Sequence, residues 1–269
     1  MSILMCPPAH YDTEYEINPW MRLEVAVDHQ AAWSQWNALR ATLTDMGQEV
    51  QLAQPAAGLP DMVFTANAGL VWRRRAVISR FRHGERRGEE ALWAATLEGQ
   101  GLEVDSLPDD LPFEGAGDAL FVGERLFCGH GFRSVRAAHI QVGRLLDVET
   151  VSLELVDPRF YHLDTCFCPL NERTVLFAPA AFSRQSAALI RAMVPHVIEV
   201  PPEIAGGFAC NALVVGDRVI SSEAARQLVS PLRSAGYEAV ALPMGEFLKS
   251  GGGVRCLCLP LDEGIGLLG

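Results

Sequence analysis

The chain has 269 residues, of which 49% are hydrophobic and 20% are charged, and its formal net charge at pH 7 is −11. This composition is typical of a globular protein with one large core or two modest ones. The acidic balance argues against a nucleic-acid partner, because binding phosphates requires a basic stripe of Lys and Arg. It mildly favours the approach of a cationic small molecule.

The first stretch, "MSILMCPPAHYD", contains prolines and a histidine and has no long apolar run. We therefore expect neither a signal peptide nor a membrane span, and we expect a cytoplasmic protein. The cysteines are scattered through apolar surroundings, which indicates reduced thiols rather than a disulfide framework.

Five short β-prone segments recur along the chain, and most of them follow a helix-like stretch. They begin at Gly47, Gly101, Glu149, His196 and Gly236. In "AAWSQWNALRATLTDMG" the apolar residues fall on one helix face, namely Trp36, Leu39, Leu43 and Met46, and Gly47 stands where a C-cap glycine belongs. In "SSEAARQLVSPLRSAGY" a serine can cap the helix, and Pro231 must kink or shorten it.

Each short strand is followed by a turn marked by Gly, acidic residues or His, and then by a second apolar strand. The five are "PDMVFTANAGLVW", "FEGAGDALFVG", "YHLDTCFCPL", "GGFACNALVVG" and "GGGVRCLCLPL". They recur at roughly 45 to 55 residues, which predicts five copies of one β-turn-β-helix unit. A ring of such units gathers Asp61, Glu114, His162 and Cys256 at one end. The alternative is an open doubly wound sheet, in which the glycines are ordinary turn residues.

The marked turns contain a thiol, an imidazole and several carboxylates, which together could bind a cation and attack it. The Cys256 thiol can act as a nucleophile once a neighbour lowers its pKa, and His162 can transfer a proton at neutral pH. Ionised carboxylates accept hydrogen bonds from planar N–H donors, and Asp61, Glu114, Asp118 and Asp164 could serve. The combination predicts a substrate that is cationic and electrophilic at carbon, such as a guanidinium.

Seven segments resemble, in order and over nearly the whole chain, the guanidine-modifying enzymes of the pentein superfamily. They are "MCPPAHYDTEYEINPWM", "VFTANAG", "FRHGERRGE", "FEGAGD", "GHGFRS", "YHLDT" and "GGGVRCLCL". The resemblance implies a five-bladed α/β propeller of ββαβ repeats, with residues 1–269 forming a single catalytic domain.

The resemblance also implies roles for individual residues. Cys256 matches the nucleophile, His162 the acid/base, and Glu114 the carboxylate that binds the guanidinium and orients the histidine. Asp118 and Asp164 match further polar contacts to the substrate, and Arg86 and Arg133 match a pair that holds an α-carboxylate. The mechanism implied in this way needs no metal or organic cofactor.

Two asparagines bear on the substrate. Asn67 in "FTANAG" and Asn18 in "INPWM" resemble the arginine dihydrolase branch, in which arginine gives ornithine, ammonia and carbon dioxide. A neutral amide can bind both a guanidinium and a ureido group, although from the residues alone Asn67 could equally be a turn residue. Alternatives are a dimethylarginine dimethylaminohydrolase, an arginine deiminase giving citrulline, and a non-catalytic pentein that binds a partner. The expected partner is a small guanidine, arginine or methylated arginine, and a homo-oligomer is left open.

The remaining cysteines have simpler interpretations. Cys256 and Cys258 are predicted to lie on one strand and to share a face, with Cys258 packed in the core. Cys166 and Cys168 are also predicted to be core residues, since C-x-C is not the usual spacing of a structural zinc site. The histidines at 10, 83 and 130 have no recognisable partner.

Overall fold

Strands and helices follow one another in five similar groups. A computed structural model describes residues 2–262. The strands are β1 Ser2–Met5, β2 Glu49–Leu52, β3 Gly69–Trp72, β4 Arg75–Ile78, β5 Glu103–Ser106, β6 Ala119–Val122, β7 Arg125–His130, β8 Thr150–Glu154, β9 Phe167–Asn171, β10 Thr174–Phe177, β11 His196–Glu199, β12 Leu213–Val215, β13 Arg218–Ser222, β14 Glu238–Leu242 and β15 Leu259–Pro260. The α-helices are α1 His29–Asp45, α2 Glu89–Gly99, α3 Gly115–Asp118, α4 Arg136–Leu146, α5 Arg184–Met193, α6 Pro202–Ala205, α7 Val229–Ser234 and α8 Gly245–Leu248. Short 3₁₀ helices occupy Pro60–Val63, Thr65–Asn67, Gly84–Arg86, Pro158–Phe160, Leu163–Thr165, Pro179–Ala181, Glu223–Leu228 and Arg255–Leu257.

The strands form five three-stranded sheets, each of which is one blade. Four blades follow the chain, as β3–β4–β5, β6–β7–β8, β9–β10–β11 and β12–β13–β14, and the other is β15–β1–β2. In each blade one pair of strands is antiparallel and the other pair is parallel. The parallel pairs are joined through α1, α2, α4, α5 and α7, because a parallel crossover needs a long connection. The predicted five-bladed α/β propeller is confirmed, and the open doubly wound sheet is wrong.

The predicted helices form as the sequence pattern indicates. Asp28 caps α1 by accepting a hydrogen bond from the main-chain N–H of Ala31, and the predicted face at Trp36, Leu39 and Leu43 is buried. Pro231 has the expected effect, since α7 is confined to six residues and is preceded by the 3₁₀ helix Glu223–Leu228.

The five predicted turns meet at one end of the ring. Thr65–Asn67 of the first turn contacts α3 of the second turn and Arg255–Leu257 of the fifth. The second turn contacts the third at Leu163–Thr165, and Asn211 of the fourth turn bonds to both the third and the fifth. Residues far apart in the sequence are therefore neighbours around the ring axis.

The position of Cys256 corrects the sequence analysis. Cys256 does not lie on a strand: it is the middle residue of the 3₁₀ helix Arg255–Leu257, and the strand begins only at Leu259. The reason is that the main-chain N–H groups of Arg255 and Cys256 donate to the side-chain oxygen of Asn211, rather than to a neighbouring strand. Cys258 and Cys166 are fully buried, and Cys168 is 3% exposed. The prediction that these three are core residues is confirmed.

Within residues 2–262 no helix is both long enough and apolar enough to cross a membrane. The predicted single domain extends to residue 269, and its last stretch, 263–269, lies outside the described residues.

Two turns pass so closely at Gly115 that the position has no room for a side chain. Its φ is +57°, and a Cβ there would lie 2.6 Å from the carbonyl oxygen of Gly69. Gly216 has nearly the same φ, +60°, with nothing within 4 Å. We expect Gly115→Ala to lower the free energy of unfolding by ~1–3 kcal/mol more than Gly216→Ala, since only the former adds a clash to the backbone strain. Urea denaturation of both variants measures this difference, and equal losses would contradict it.

Candidate active site

A buried hydrogen-bond network centred on Glu114 connects the second and third turns. His162 Nε2 lies 2.7 Å from Glu114 Oε2, and Arg133 donates to the same oxygen at 3.0 Å. The other carboxylate oxygen accepts the main-chain N–H of Arg82 at 3.2 Å. The side chains of Glu114, His162 and Arg133 are at most 3% exposed. The predicted pairing of the histidine with this carboxylate therefore exists in the fold.

The charge of Glu114 determines the tautomer of His162. Burial opposes ionisation of Glu114, but the Arg133 guanidinium and the hydrogen bond from His162 outweigh it, so that the pKa of Glu114 lies well below its ordinary value. Because a carboxylate can only accept, Nε2 of His162 must carry the hydrogen. Nδ1 is left as the ring nitrogen that can take up or release a proton.

Cys256, in the fifth turn, contacts residues of the third and fourth turns and is 2% exposed. Its thiol donates to Asp164 Oδ2 at 3.3 Å, and its sulfur accepts a hydrogen bond from Asn211 Nδ2 at 3.1 Å. Burial and the adjacent Asp164 carboxylate raise the pKa of the Cys256 thiol well above its ordinary value. Burial likewise raises the pKa of Asp164 to about 6. The resting site therefore favours the neutral thiol.

Asp118 fixes the backbone of the neighbouring turns. One of its oxygens accepts both the main-chain N–H and the hydroxyl of Ser134, and the other accepts the main-chain N–H of Leu163 at 3.1 Å. Burial raises the pKa of Asp118, and the nearby His162 partly offsets this effect. Both oxygens are committed to the protein, and the bond to Leu163 holds the residue next to His162 in place.

Arg86 fixes the orientation of Asn67. Arg86 donates to both oxygens of Glu89, at 2.7 and 2.9 Å, and to the main-chain oxygen of Asp61 at 3.2 Å. It also donates to Asn67 Oδ1 at 2.9 Å. Since a guanidinium has only donors, the amide oxygen of Asn67 must face Arg86, and its NH₂ group points elsewhere.

Residues of the segment between β1 and α1 cover the site. Asn18 donates to the main-chain oxygen of Ser250 at 3.1 Å, and its side-chain oxygen accepts main-chain N–H groups of Trp20 and Met21. Tyr15 donates to Asp61 Oδ2 at 3.0 Å. Arg133 donates to the main-chain oxygen of Ile17 at 2.9 Å. This segment supplies the cover of the site, which the sequence did not identify.

A narrow cavity lies beneath the segment. Six of the predicted residues line it, namely Asn18, Asp61, Asn67, Arg86, Arg133 and Cys256, and Tyr161 and Ser250 are also in its wall. Three buried polar atoms around the site have no hydrogen-bond partner among the described residues: Asp61 Oδ1, Asn67 Nδ2 and Asp164 Oδ1. Burial raises the pKa of Asp61 to about 6, although Arg86 lowers it in part. Two acceptors and one donor are thus left for a bound molecule.

Three residues of the site were not predicted from the sequence. Asn211 lies in the fourth marked turn, "GGFACNALVVG", and that pattern was the available signal. Tyr161 donates to the main-chain oxygen of Gly251 at 2.8 Å and directly precedes His162. Tyr15 belongs to the covering segment, and its contact with Asp61 could not be inferred from spacing.

Among residues 2–262 no group of three or more His, Cys, Asp or Glu side chains is arranged to hold a metal ion. His10 is exposed, and His83 and His130 are partly buried. Burial lowers the pKa of His83, and the nearby charges of Arg133 and Glu114 act on it in opposite directions.

Comparisons with known proteins assign the chain to a family. A model of the family described as "N,N dimethylarginine dimethylhydrolase, eukaryotic" matches residues 9–262. The chain belongs to this family. The bifunctional arginine dihydrolase/ornithine cyclodeaminase ArgZ of Synechocystis sp. is 48% identical over 268 residues, which are 98% of this chain and 38% of that protein. N(G),N(G)-dimethylarginine dimethylaminohydrolase of Mycobacterium tuberculosis is 41% identical over 257 residues, 96% of this chain and 84% of that protein.

The fold agrees with this family membership. A crystal structure of the N-terminal domain of ArgZ, a cysteine-to-serine mutant bound to substrate, matches with a TM-score of 0.94 and 47% identity. The match covers 97% of this chain and 98% of that chain. The chain spans 38% of the length of ArgZ, and the same share of a bifunctional relative from Nostoc sp.. The family resemblance inferred from the seven motifs is confirmed.

Because the pKa of Asp164 is raised in the folded state, ionisation of its carboxyl lowers the free energy of unfolding. Because its pKa is about 6 in the folded state, above the unfolded value, the stabilisation by the bound proton is complete near pH 4 and is lost as the pH rises through 6. We therefore expect Asp164→Asn to exceed the wild type in free energy of unfolding by about 3 kcal/mol at pH 7, and the difference to fall below ~1 kcal/mol near pH 4. Urea denaturation across this pH range measures it.

Asp157 provides the matched control. Its hydrogen bonds with Arg159 lower the pKa of Asp157, so Asp157→Asn should gain no stability relative to the wild type as the pH rises. Parallel pH profiles for the two variants would contradict the assignment of a buried, costly charge to Asp164.

Proposed function

We propose that the chain is a cysteine-dependent arginine dihydrolase, which converts arginine to ornithine, ammonia and carbon dioxide. ArgZ is named as an arginine dihydrolase. Family membership and the identity to ArgZ support this. The observation that carries it is a set of buried polar groups around the site that have no hydrogen-bond partner among the described residues, namely two carboxylate oxygens and one amide NH₂ group. They provide acceptors for a cation and a donor for a carbonyl oxygen within one closed site.

The guanidinium of arginine fits the acceptors. A planar cation with N–H groups in its plane would bind Asp61 Oδ1 and Asp164 Oδ1, and both carboxyls are buried. Its charge would compensate theirs and would lower the pKa of the Cys256 thiol, as a positive neighbour does. Substrate binding therefore supplies the thiolate that the resting site disfavours.

Arg86 and Arg133 are proposed to attract the α-carboxylate. Both guanidinium groups line the cavity and are 3% exposed. Their hydrogen bonds to Glu89 and Glu114 fix them in place, so the positive charge at this wall needs no rearrangement. Asn18 is proposed to shape the substrate end of the cavity through the covering segment, and Asp118 to act through the backbone at His162.

The first round produces citrulline. The thiol proton passes to His162, the Cys256 thiolate attacks the guanidinium carbon, and His162 gives its proton to the departing nitrogen, which leaves as ammonia. A cationic amidino-thioether remains. Water, deprotonated by His162, attacks the same carbon, and the thiolate leaves. Glu114 stabilises the positive charge of the histidine throughout.

The second round needs recognition of a neutral ureido group, and Asn67 is proposed to provide it. Because Arg86 holds the amide oxygen, Nδ2 remains free to donate to the ureido oxygen. Attack by Cys256 then releases the second ammonia, water hydrolyses the resulting thiocarbamate, and the carbamate of ornithine loses carbon dioxide.

Hydrolysis of dimethylarginine is the second candidate, and the relative from Mycobacterium tuberculosis favours it. It uses the same nucleophile and differs in the leaving group, which would be dimethylamine. An arginine deiminase and a non-catalytic binding protein are the remaining alternatives. Three statements remain predictions from the sequence: that the protein binds neither nucleic acid nor membranes, that it is cytoplasmic, and that it could form a homo-oligomer.

Incubation with arginine, followed by assay of citrulline, ornithine, ammonia and urea, tests the activity. We expect ornithine with about two equivalents of ammonia, and no turnover by Cys256→Ser, because the hydroxyl is a far weaker nucleophile. Cys258→Ser is the control, which should keep turnover and lose stability. Citrulline alone would favour a deiminase, turnover only of dimethylarginine would favour the second candidate, and activity in Cys256→Ser would refute the nucleophile.

Asn67→Asp tests the second round separately. A carboxylate at this position would bind the guanidinium cation but would repel the ureido oxygen. We expect citrulline to accumulate, with the rate of citrulline hydrolysis reduced ~100-fold or more and the first round reduced less. Turnover of arginine and of citrulline is measured side by side, and equal losses in both would refute the assignment.

A further inference from the structure

Asn211 is completely buried beside Cys256 and uses every hydrogen-bonding position of its amide. Its oxygen accepts the main-chain N–H groups of Arg255 at 3.0 Å and Cys256 at 3.3 Å. Its nitrogen donates to the main-chain oxygen of Asp164 and to Cys256 Sγ, both at 3.1 Å. An amide has two acceptor and two donor positions, so this side chain is saturated.

The orientation of this amide is determined by chemistry. Two main-chain N–H groups face one of its ends, and since they can only donate, that end must be the oxygen. The NH₂ end therefore faces the sulfur of Cys256. Reversal of the amide would place its NH₂ group against two N–H donors and its oxygen against the main-chain oxygen of Asp164, which would break the three bonds to the main chain.

The two polar side chains in contact with the sulfur favour opposite protonation states. Asp164 accepts a hydrogen bond from the thiol and repels the thiolate, whereas Asn211 donates and its bond strengthens when the sulfur becomes negative. The other charged or titratable groups that line the cavity are Asp61, Arg86, Arg133 and Tyr161. Asn211 is the side chain that donates to the sulfur, and the main-chain N–H of Gly253 donates to it as well.

The surrounding backbone is shaped to admit this amide. A Cβ at position 253 would lie 2.8 Å from the Asn211 oxygen, so the last glycine of "GGG" leaves the room that the amide occupies. The main-chain N–H of Asn211 donates to the carbonyl oxygen of Phe208 at 3.1 Å, and Trp20 of the covering segment packs on Phe208. The fourth turn thus holds the amide rigidly.

We propose that Asn211 is a positioning residue for the active-site cysteine, which holds the 255–256 backbone and donates a hydrogen bond that stabilises the Cys256 thiolate. This proposal rests on the proposed role of Cys256 as the nucleophile. A purely structural asparagine would need the bonds to the main chain only. The contact with the sulfur adds a chemical function, because the same bond that aims the sulfur also favours its reactive form.

Asn211→Asp separates these two roles. The substitution keeps an oxygen for the two main-chain N–H groups and replaces the donor that faces both the sulfur and the main-chain oxygen of Asp164 by a second oxygen. We expect iodoacetamide to alkylate Cys256 at least ~10-fold more slowly than in the wild type between pH 7 and pH 10, since the thiolate fraction falls tenfold for about one pKa unit. Mass spectrometry of the peptide that contains residue 256 gives the rate.

Asp164→Asn is the opposite control. It removes the charge that repels the thiolate, so alkylation of Cys256 should be faster than in the wild type over the same pH range. Equal alkylation rates in Asn211→Asp and the wild type would overturn the proposal. If Asn211→Asp does not fold, Asn211→Ala takes its place with the same expectation, and failure of both to fold would mean a structural role and would also overturn it.

Turnover gives an independent readout. In Asn211→Asp we expect kcat for arginine to fall ~10-fold or more with KM little changed, because the amide touches the sulfur rather than the substrate. The alkylation comparison uses no substrate. If the Cys256→Ser variant retained turnover, the proposed function would fail, and the alkylation rates would still decide whether Asn211 stabilises the thiolate.

Discussion

The closure of the ring is the constraint on which the rest of the structure depends. β15 pairs antiparallel with β1, so that Ile3 lies opposite Pro260 and Leu4 opposite Leu259. Without this pairing the fifth turn, which carries Cys256, would have no fixed distance from Glu114 or His162. Main-chain hydrogen bonds at the ring's seam therefore set the geometry of side chains that share no strand.

The buried carboxyl groups around the ring axis differ in whether a positive side chain compensates their charge, and this difference suits the proposed chemistry. Glu114 has a guanidinium partner and is ionised at little cost, whereas burial raises the pKa of Asp164 and of Asp61 to about 6, so that their ionisation is costly. A cation that enters the cavity completes the balance and, in doing so, favours the thiolate at Cys256. The protein thus stores electrostatic free energy that a guanidinium can release, which links recognition of the substrate to activation of the nucleophile.

Much of this could be predicted from the sequence, because the repeat and its marked turns are local patterns. The strands, the five turns and the meeting of Glu114 with His162 follow from spacing and from the family resemblance. The 3₁₀ conformation at Cys256 could not be predicted, since it depends on Asn211, a residue 45 positions away. The free NH₂ group of Asn67 could not be predicted either, because its orientation depends on the hydrogen bond that Arg86 donates to the amide oxygen.

The seam between β15 and β1 also has a consequence for biosynthesis. The ribosome releases β1 first and the fifth turn near the end of the described chain, so the first strand must wait for one of its neighbours while about 250 residues are made. Such a distant pairing slows folding and leaves a strand edge open for that time. In return, the cysteine and its partners come together only in a finished ring, so a partly synthesised chain exposes no assembled reactive thiol.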